Sequence, residues 1–194
     1  MKKFFLFLIL INLVYGSEYP NDVLGVKLSE KAKIWNSMEQ RYGFSDADTV
    51  DTYLLKPITY NKMFESLIFD VSKKSNKVFR IKAFSIKFNS IEECSSANKM
   101  IENTLMQKYK KLKRVKSLPY VRFEFKTKNK HIQVYTGCSG HKNTFNEEYN
   151  FTYGLIDKNL EKEVKIFEKE LKQKKLEEKN KENKEKLKGF LNKI

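Results

Sequence analysis

The sequence predicts an α+β fold, with helices packed on antiparallel sheet. Three observations carry this. Short runs alternate apolar and polar residues, as Val121, Phe123 and Phe125 alternate with Arg122, Glu124 and Lys126. Ser90-Ile91-Glu92-Glu93 forms a capping box that opens an apolar stripe at helical spacing. Beyond Asp157 the chain changes character, with Lys172 to Lys186 almost wholly Lys, Glu, Gln and Asn and an apolar end after it. The expected order is two successive helix-plus-three-strand units forming one sheet packed by helices, then a long charged C-terminal helix.

Residues 1–16 read as a secretory signal peptide. Lys2 and Lys3 precede the apolar run Phe4 to Ile11, and Gly16–Ser17 is the expected cut. The run is too short to span a bilayer, and no second long apolar segment follows, so no transmembrane segment is expected in the mature chain. The compact domain is assigned to residues 17–156 and the charged helix to 157–194. Export to the periplasm or beyond is the expected localisation.

In the first unit, Ser29 and Glu30 read as the start of a helix over Glu30 to Tyr42. Ile34, Trp35, Met38 and Tyr42 fall at helical spacing, and Gly43 is its stop. Three strands follow. Val50 to Lys56 ends at Pro57; Phe64 to Val71 is joined by the turn Ser72 to Asn76 to Lys77 to Phe88. In the last of these the apolar parity changes after Ala83, which predicts a bulge nearby or a strand covered on both faces.

In the second unit the capped helix carries Ile91, Cys94, Ala97, Ile101, Leu105 and Leu112 on one stripe and is expected to reach Lys113. The strands Tyr120 to Thr127, His131 to Gly137 and Glu148 to Ile156 follow. The element order resembles that of small periplasmic proteins built from tandem α/β units, among them outer-membrane assembly lipoproteins and protein inhibitors of secreted enzymes. The resemblance lies in element order and carries no motif.

Two cysteines in an exported chain point to one disulfide, Cys94–Cys138. Cys94 lies on the helix stripe, and Cys138 shares the parity of Ile132 and Val134. In the C-terminal segment Leu160, Val164, Phe167 and Leu171 are spaced 4-3-4, enough to dock one helical face. Leu187, Phe190, Leu191 and Ile194 form an apolar tip on the charged rod and are the expected partner-binding residues.

The formal charge of +15 favours acidic partners. Lys110, Lys111, Lys113, Arg114 and Lys116 form the densest basic patch, and the same charges complement the end of the second helix. Lys far outnumbers Arg, which argues against base reading of nucleic acid. Asn150-Phe151-Thr152, with Glu148 two residues earlier, resembles the extended acidic acceptor of bacterial N-glycosylation and makes Asn150 a candidate modification site.

Catalytic patterns are missing. The chain has no glycine-rich phosphate loop, no Gly-x-Ser-x-Gly elbow and no His-Glu-x-x-His. Cys138-Ser139-Gly140-His141 is the one tight cluster of reactive types, and a disulfide would withdraw its thiol. Cys94, His131, Cys138 and His141 lack the paired short spacings of a structural zinc site. Asp46 and Asp48 lack the ligand series of a calcium loop. No cofactor, no metal and no enzyme activity are therefore expected. The expected function is a non-catalytic binding module of the cell envelope. It would contact a protein partner or an anionic envelope surface through the basic face and the C-terminal helix. The alternatives are a periplasmic binder of lipopolysaccharide or nucleic acid and an inhibitor of a secreted enzyme.

Overall fold

The computed structural model describes residues 18–33, 38–41, 48–56, 63–115, 120–142 and 147–191. A small hairpin, β1 (Asp22–Val23) and β2 (Val26–Lys27), comes first. Then come β3 (Met38–Arg41), β4 (Val50–Leu55), β5 (Phe64–Ser72), β6 (Lys77–Phe88) and the helix α1 (Ile91–Lys108). The second half holds β7 (Lys113–Val115), β8 (Val121–Lys126), β9 (His131–Lys142), β10 (Glu147–Asp157) and the helix α2 (Lys158–Leu191).

An eight-stranded antiparallel sheet runs in the order β3-β4-β5-β6-β10-β9-β8-β7. It consists of two four-stranded meanders that meet at their last strands, β6 and β10. The register there pairs Leu155 with Ile81 and Tyr153 with Ala83. Each meander is followed by a helix. Each half is thus a four-stranded meander followed by a helix, where the sequence pointed to a helix followed by three strands.

The helix expected over Glu30 to Tyr42 is corrected by this arrangement. Ser29 has φ 67°, outside the helical region. Its N–H donates to the Val78 carbonyl at 2.7 Å, and the Val78 N–H donates to Glu30 at 2.9 Å. Lys31 bridges Lys77. Residues 29–31 thus lie along the start of β6 and spend their backbone groups on it. Met38–Arg41 forms an edge strand on β4, with Met38 opposite Leu55. Residues 34–37 and 42 lie outside the described residues. The second helix also ends earlier than expected, at Lys108, because the Tyr109 N–H still closes on Leu105 but the chain then turns. Lys113–Val115 becomes an edge strand on β8. The bulge predicted near Ala83 is present: the β6 register slips between Phe84 and Lys87 against β10.

One face of the sheet carries the main core. Leu67, Phe69, Ile81, Phe123, Phe125, Ile132, Val134, Phe151 and Leu155 are buried there with Cys94, Ile101 and Leu105 of α1. Val23, Val26 and Leu28 close its margin, and Tyr19 stacks on Phe125 with ring centroids 4.8 Å apart. The Cys94–Cys138 disulfide, with Cα atoms 6.0 Å apart, ties α1 to β9. Asp70 and Arg80 alternate with the core residues Phe69 and Ile81, so they stand on the opposite face. The first turns of α2 cover part of that face. There Leu160 and Val164 form a second, smaller cluster with Val50 and Phe79.

Candidate functional site

Helix α2 is held by polar groups at its first turn. Asp157 is its N-cap: Oδ1 accepts the N–H groups of Asn159 at 3.0 Å and Leu160 at 3.2 Å. The other oxygen accepts the Ser29 hydroxyl at 2.5 Å and lies 3.2 Å from Lys130 Nζ. Lys130 also donates to Ser29 Oγ at 2.7 Å. Asp157 is 2% exposed, so this carboxylate is desolvated and fully engaged. Three remote segments, the N-terminal arm, the β8–β9 turn and α2, meet at one side chain.

One turn further on, Glu161 joins α2 to the sheet. It pairs with Lys158 and lies 3.4 Å from Arg80, which in turn reaches Asp70 at 3.1 Å. Thr52 donates to the other Asp70 oxygen at 2.7 Å. The two acids respond differently to burial. Desolvation is the largest influence on Asp70 and outweighs Thr52 and Arg80, so its carboxyl titrates above the ordinary range. Desolvation also acts on Glu161, but Lys158, Lys165 and Arg80 together overcome it and hold that carboxyl below the ordinary range.

Docking of α2 continues through Phe167, which lies under Lys74 Nζ at 5.4 Å, and Glu170, 3.8 Å from the same ammonium. Phe167 and Leu171 are half-buried. An exposed ion pair between Lys175 and Asp48 follows. Residues 172–188 are all exposed. At 1.5 Å per residue the helix is about 51 Å long, and the stretch from Leu176 onward contributes about 24 Å of it. The expected docking stripe Leu160, Val164, Phe167 and Leu171 is thus the part that docks, and the remainder projects.

Of the expected tip residues, Leu187 is on the projecting part and 60% exposed. Phe190 and Leu191 continue the helical backbone. Ile194 lies outside the described residues. The basic residues Lys110, Lys111, Lys113 and Arg114 are exposed in the turn after α1 and along the edge strand β7. Two of them already have acidic neighbours: Lys111 lies 2.9 Å from Glu18 and Arg114 lies 3.0 Å from Glu102. Charge on an edge strand also discourages pairing with other chains. Lys116 lies outside the described residues. The tip and the basic patch are separate features at opposite ends of the chain's second half, and no described contact joins them.

Asn150 sits in β10, between Ser139 of β9 and Lys87 of β6, and is half-buried. Its Oδ1 is buried without a hydrogen-bond partner among the described residues. Cys138 is bonded to Cys94, so it offers no thiolate to His131 or His141. His131 Nε2 is buried without a hydrogen-bond partner among the described residues and lies 3.7 Å from Glu124.

The buried polar groups around Asp157 and Asp70 were absent from the sequence reading. An Asp directly before a helical run is a cap signal, so Asp157 could have been found. Nothing local marks its link to Lys130 and Ser29. No protein-family model matches this chain, and neither the curated proteins nor the solved structures include one with significant similarity to it.

Proposed function

We propose that this chain is an exported, non-catalytic interaction module of the cell envelope that engages a protein partner through the projecting part of α2. The observation that carries this reading is the division of α2 into a docked base and an exposed arm. A helix anchored by a buried cap, a charge network and the apolar contacts of Leu160 and Val164 has a fixed base, so its far half is presented rather than merely loose. The exposed helical stretch 172–188 has no role in the core, and the sequence continues it with the apolar residues Phe190, Leu191 and Ile194. Positive charge at the front of the chain followed by an apolar run supports export. The disulfide fits the oxidising compartment that export would reach.

An anionic surface is the second reading, supported by the exposed Lys110 and Lys113 on the sheet edge. Glu18 and Glu102 neutralise part of that patch, so the arm is preferred.

The test places a photo-crosslinking residue at Phe190 in the source cells and identifies adducts by mass spectrometry. One dominant protein adduct is expected. Adducts only to lipid or polysaccharide would replace the reading with the anionic-surface one. Absence of adducts would remove it.

A further inference from the structure

The described chain enters the fold at one end of the sheet. Glu18 lies 2.9 Å from Lys111 in the turn after α1, and Tyr19 stacks on Phe125 near the end of β8. Register pairs cross the sheet in one line, from Arg80 through Ile156, Gln133 and Glu124 to Lys113. On one side of that line lie the start of β6, the end of β10, the β8–β9 turn and the turn after α1. Residues 29–31 run along the start of β6 at the same end.

This end is basic, and its acids already have partners. Glu18 pairs with Lys111, Glu30 with Lys27 and Asp157 with Lys130, while Asp22 accepts the Gly25 N–H at 2.9 Å. Lys31, Lys77, Lys110, Lys126 and Lys128 are exposed and form no ion pair among the described residues. A lysine in water needs no partner, so the charge by itself names no occupant. The place where the chain enters does. Residues 4–15 are apolar apart from Asn12, and only Gly16 and Ser17 separate them from Glu18. From Tyr15 to Glu18 the chain can extend by at most about 11 Å. While residues 4–15 are inserted in a bilayer, Glu18 and its partner Lys111 are therefore held close to the head groups. The Debye length is about 8 Å at physiological salt, and an anionic leaflet attracts lysines over that distance. Nothing comparable brings a nucleic acid or an acidic protein to this end.

We infer that this end of the domain is its membrane-facing surface, lying on anionic lipid head groups through Lys110, Lys126 and Lys128, with Lys31 and Lys77 beside them. This rests on the reading of residues 1–16 as an export segment and is independent of what the arm of α2 binds.

The experiment reconstitutes the oxidised full chain, with residues 1–16 retained, in phosphatidylcholine vesicles with and without phosphatidylglycerol. An amine-acetylating reagent is added near physiological salt, and each lysine is read by mass spectrometry. Lys56 and Lys87, exposed near the opposite end of the sheet, are the references. Acetylation of Lys110, Lys126 and Lys128 relative to these should fall at least about fivefold in the anionic vesicles compared with the neutral ones. In the chain beginning at Ser17, Lys110→Gln with Lys126→Gln and Lys128→Gln should weaken binding to the anionic vesicles at least about tenfold. Its melting temperature should not change, since the three side chains are exposed. A full chain that floats with the vesicles but keeps all three lysines as reactive as in neutral lipid would overturn the inference and leave the export reading standing. A full chain that floats with neither vesicle would refute the export reading and the inference with it. Binding of the chain beginning at Ser17 to soluble polyphosphate as tight as to the anionic vesicles would replace the membrane with a soluble polyanion.

Discussion

Lys130 Nζ and the Asp157 carboxylate, 27 residues apart by their numbering, lie 3.2 Å from one another in a site where Asp157 is 2% exposed. The same carboxylate caps α2 through two backbone N–H groups. Cap and ion pair are thus one group. Asp157→Ala would remove the cap and leave Lys130 without its acid. Caps are worth about 0.5–2 kcal/mol and broken buried pairs about 3–5 kcal/mol. Lys130 retains some solvent, so a loss of about 2–4 kcal/mol is expected. Urea unfolding at neutral pH measures it. A loss below about 0.5 kcal/mol would show that the base of α2 is not fixed by this residue.

Arg80 bridges two acids whose effects on stability run in opposite directions with pH. Burial raises Asp70, so the folded state holds that proton more tightly than the unfolded chain does. Its contribution is present at low pH and is lost as pH rises through the folded-state value. Relative to the natural protein, Asp70→Asn should therefore gain stability as pH rises from 3 to 7. Glu161 is lowered by the combined Lys158, Lys165 and Arg80 charges despite burial. Its contribution is present above the unfolded value and is lost as pH falls through the folded one. Glu161→Gln should be destabilised at pH 7, and the deficit should shrink on acidification. Urea midpoints measured across this range test both. Two slopes of the same sign would contradict the network described.

The disulfide closes a loop with sequence separation 44. On a chain-entropy model this contributes about 4 kcal/mol. Cys94 is fully buried against the main core, so changing both cysteines to Ala should cost about that amount and lower the urea midpoint. A reductant should shift the natural protein toward the variant and leave the variant unmoved. If reduction leaves the midpoint where it was, α1 is held by packing alone.

Much of the fold was legible because apolar parity is a local signal. Phe123 and Phe125, Ile132 and Val134, and Phe151 fall on the core face as their alternation requires, and Ser90 caps α1 through Glu93 N–H as the capping box predicts. Cys138 was placed by the same parity. The first helix failed because Met38 sits at a spacing that a helix and a short edge strand share. The contacts that decide between them, Ser29 with Val78 and Met38 beside Leu55, are remote in sequence. β7 was missed because Lys113, Arg114 and Val115 show no alternation long enough to read. In the candidate site, the apolar stripe Leu160, Val164, Phe167 and Leu171 and the charged stretch after it were visible in the sequence. The polar anchor was not, since Ser29, Lys130 and Asp157 are brought together only by the sheet.

The proposed function requires α2 to be a docked base with a functionally separate arm. The direct measurement compares the full chain with one ending at Leu171, reading thermal stability in solution and capture of the Phe190-adduct protein by the purified chain. The expected result is a melting temperature within about 2 °C of the full chain, because residues 172–188 are exposed, together with complete loss of capture. A fall in melting temperature beyond about 5 °C would make the arm part of the fold, and retained capture would move the binding surface to the domain.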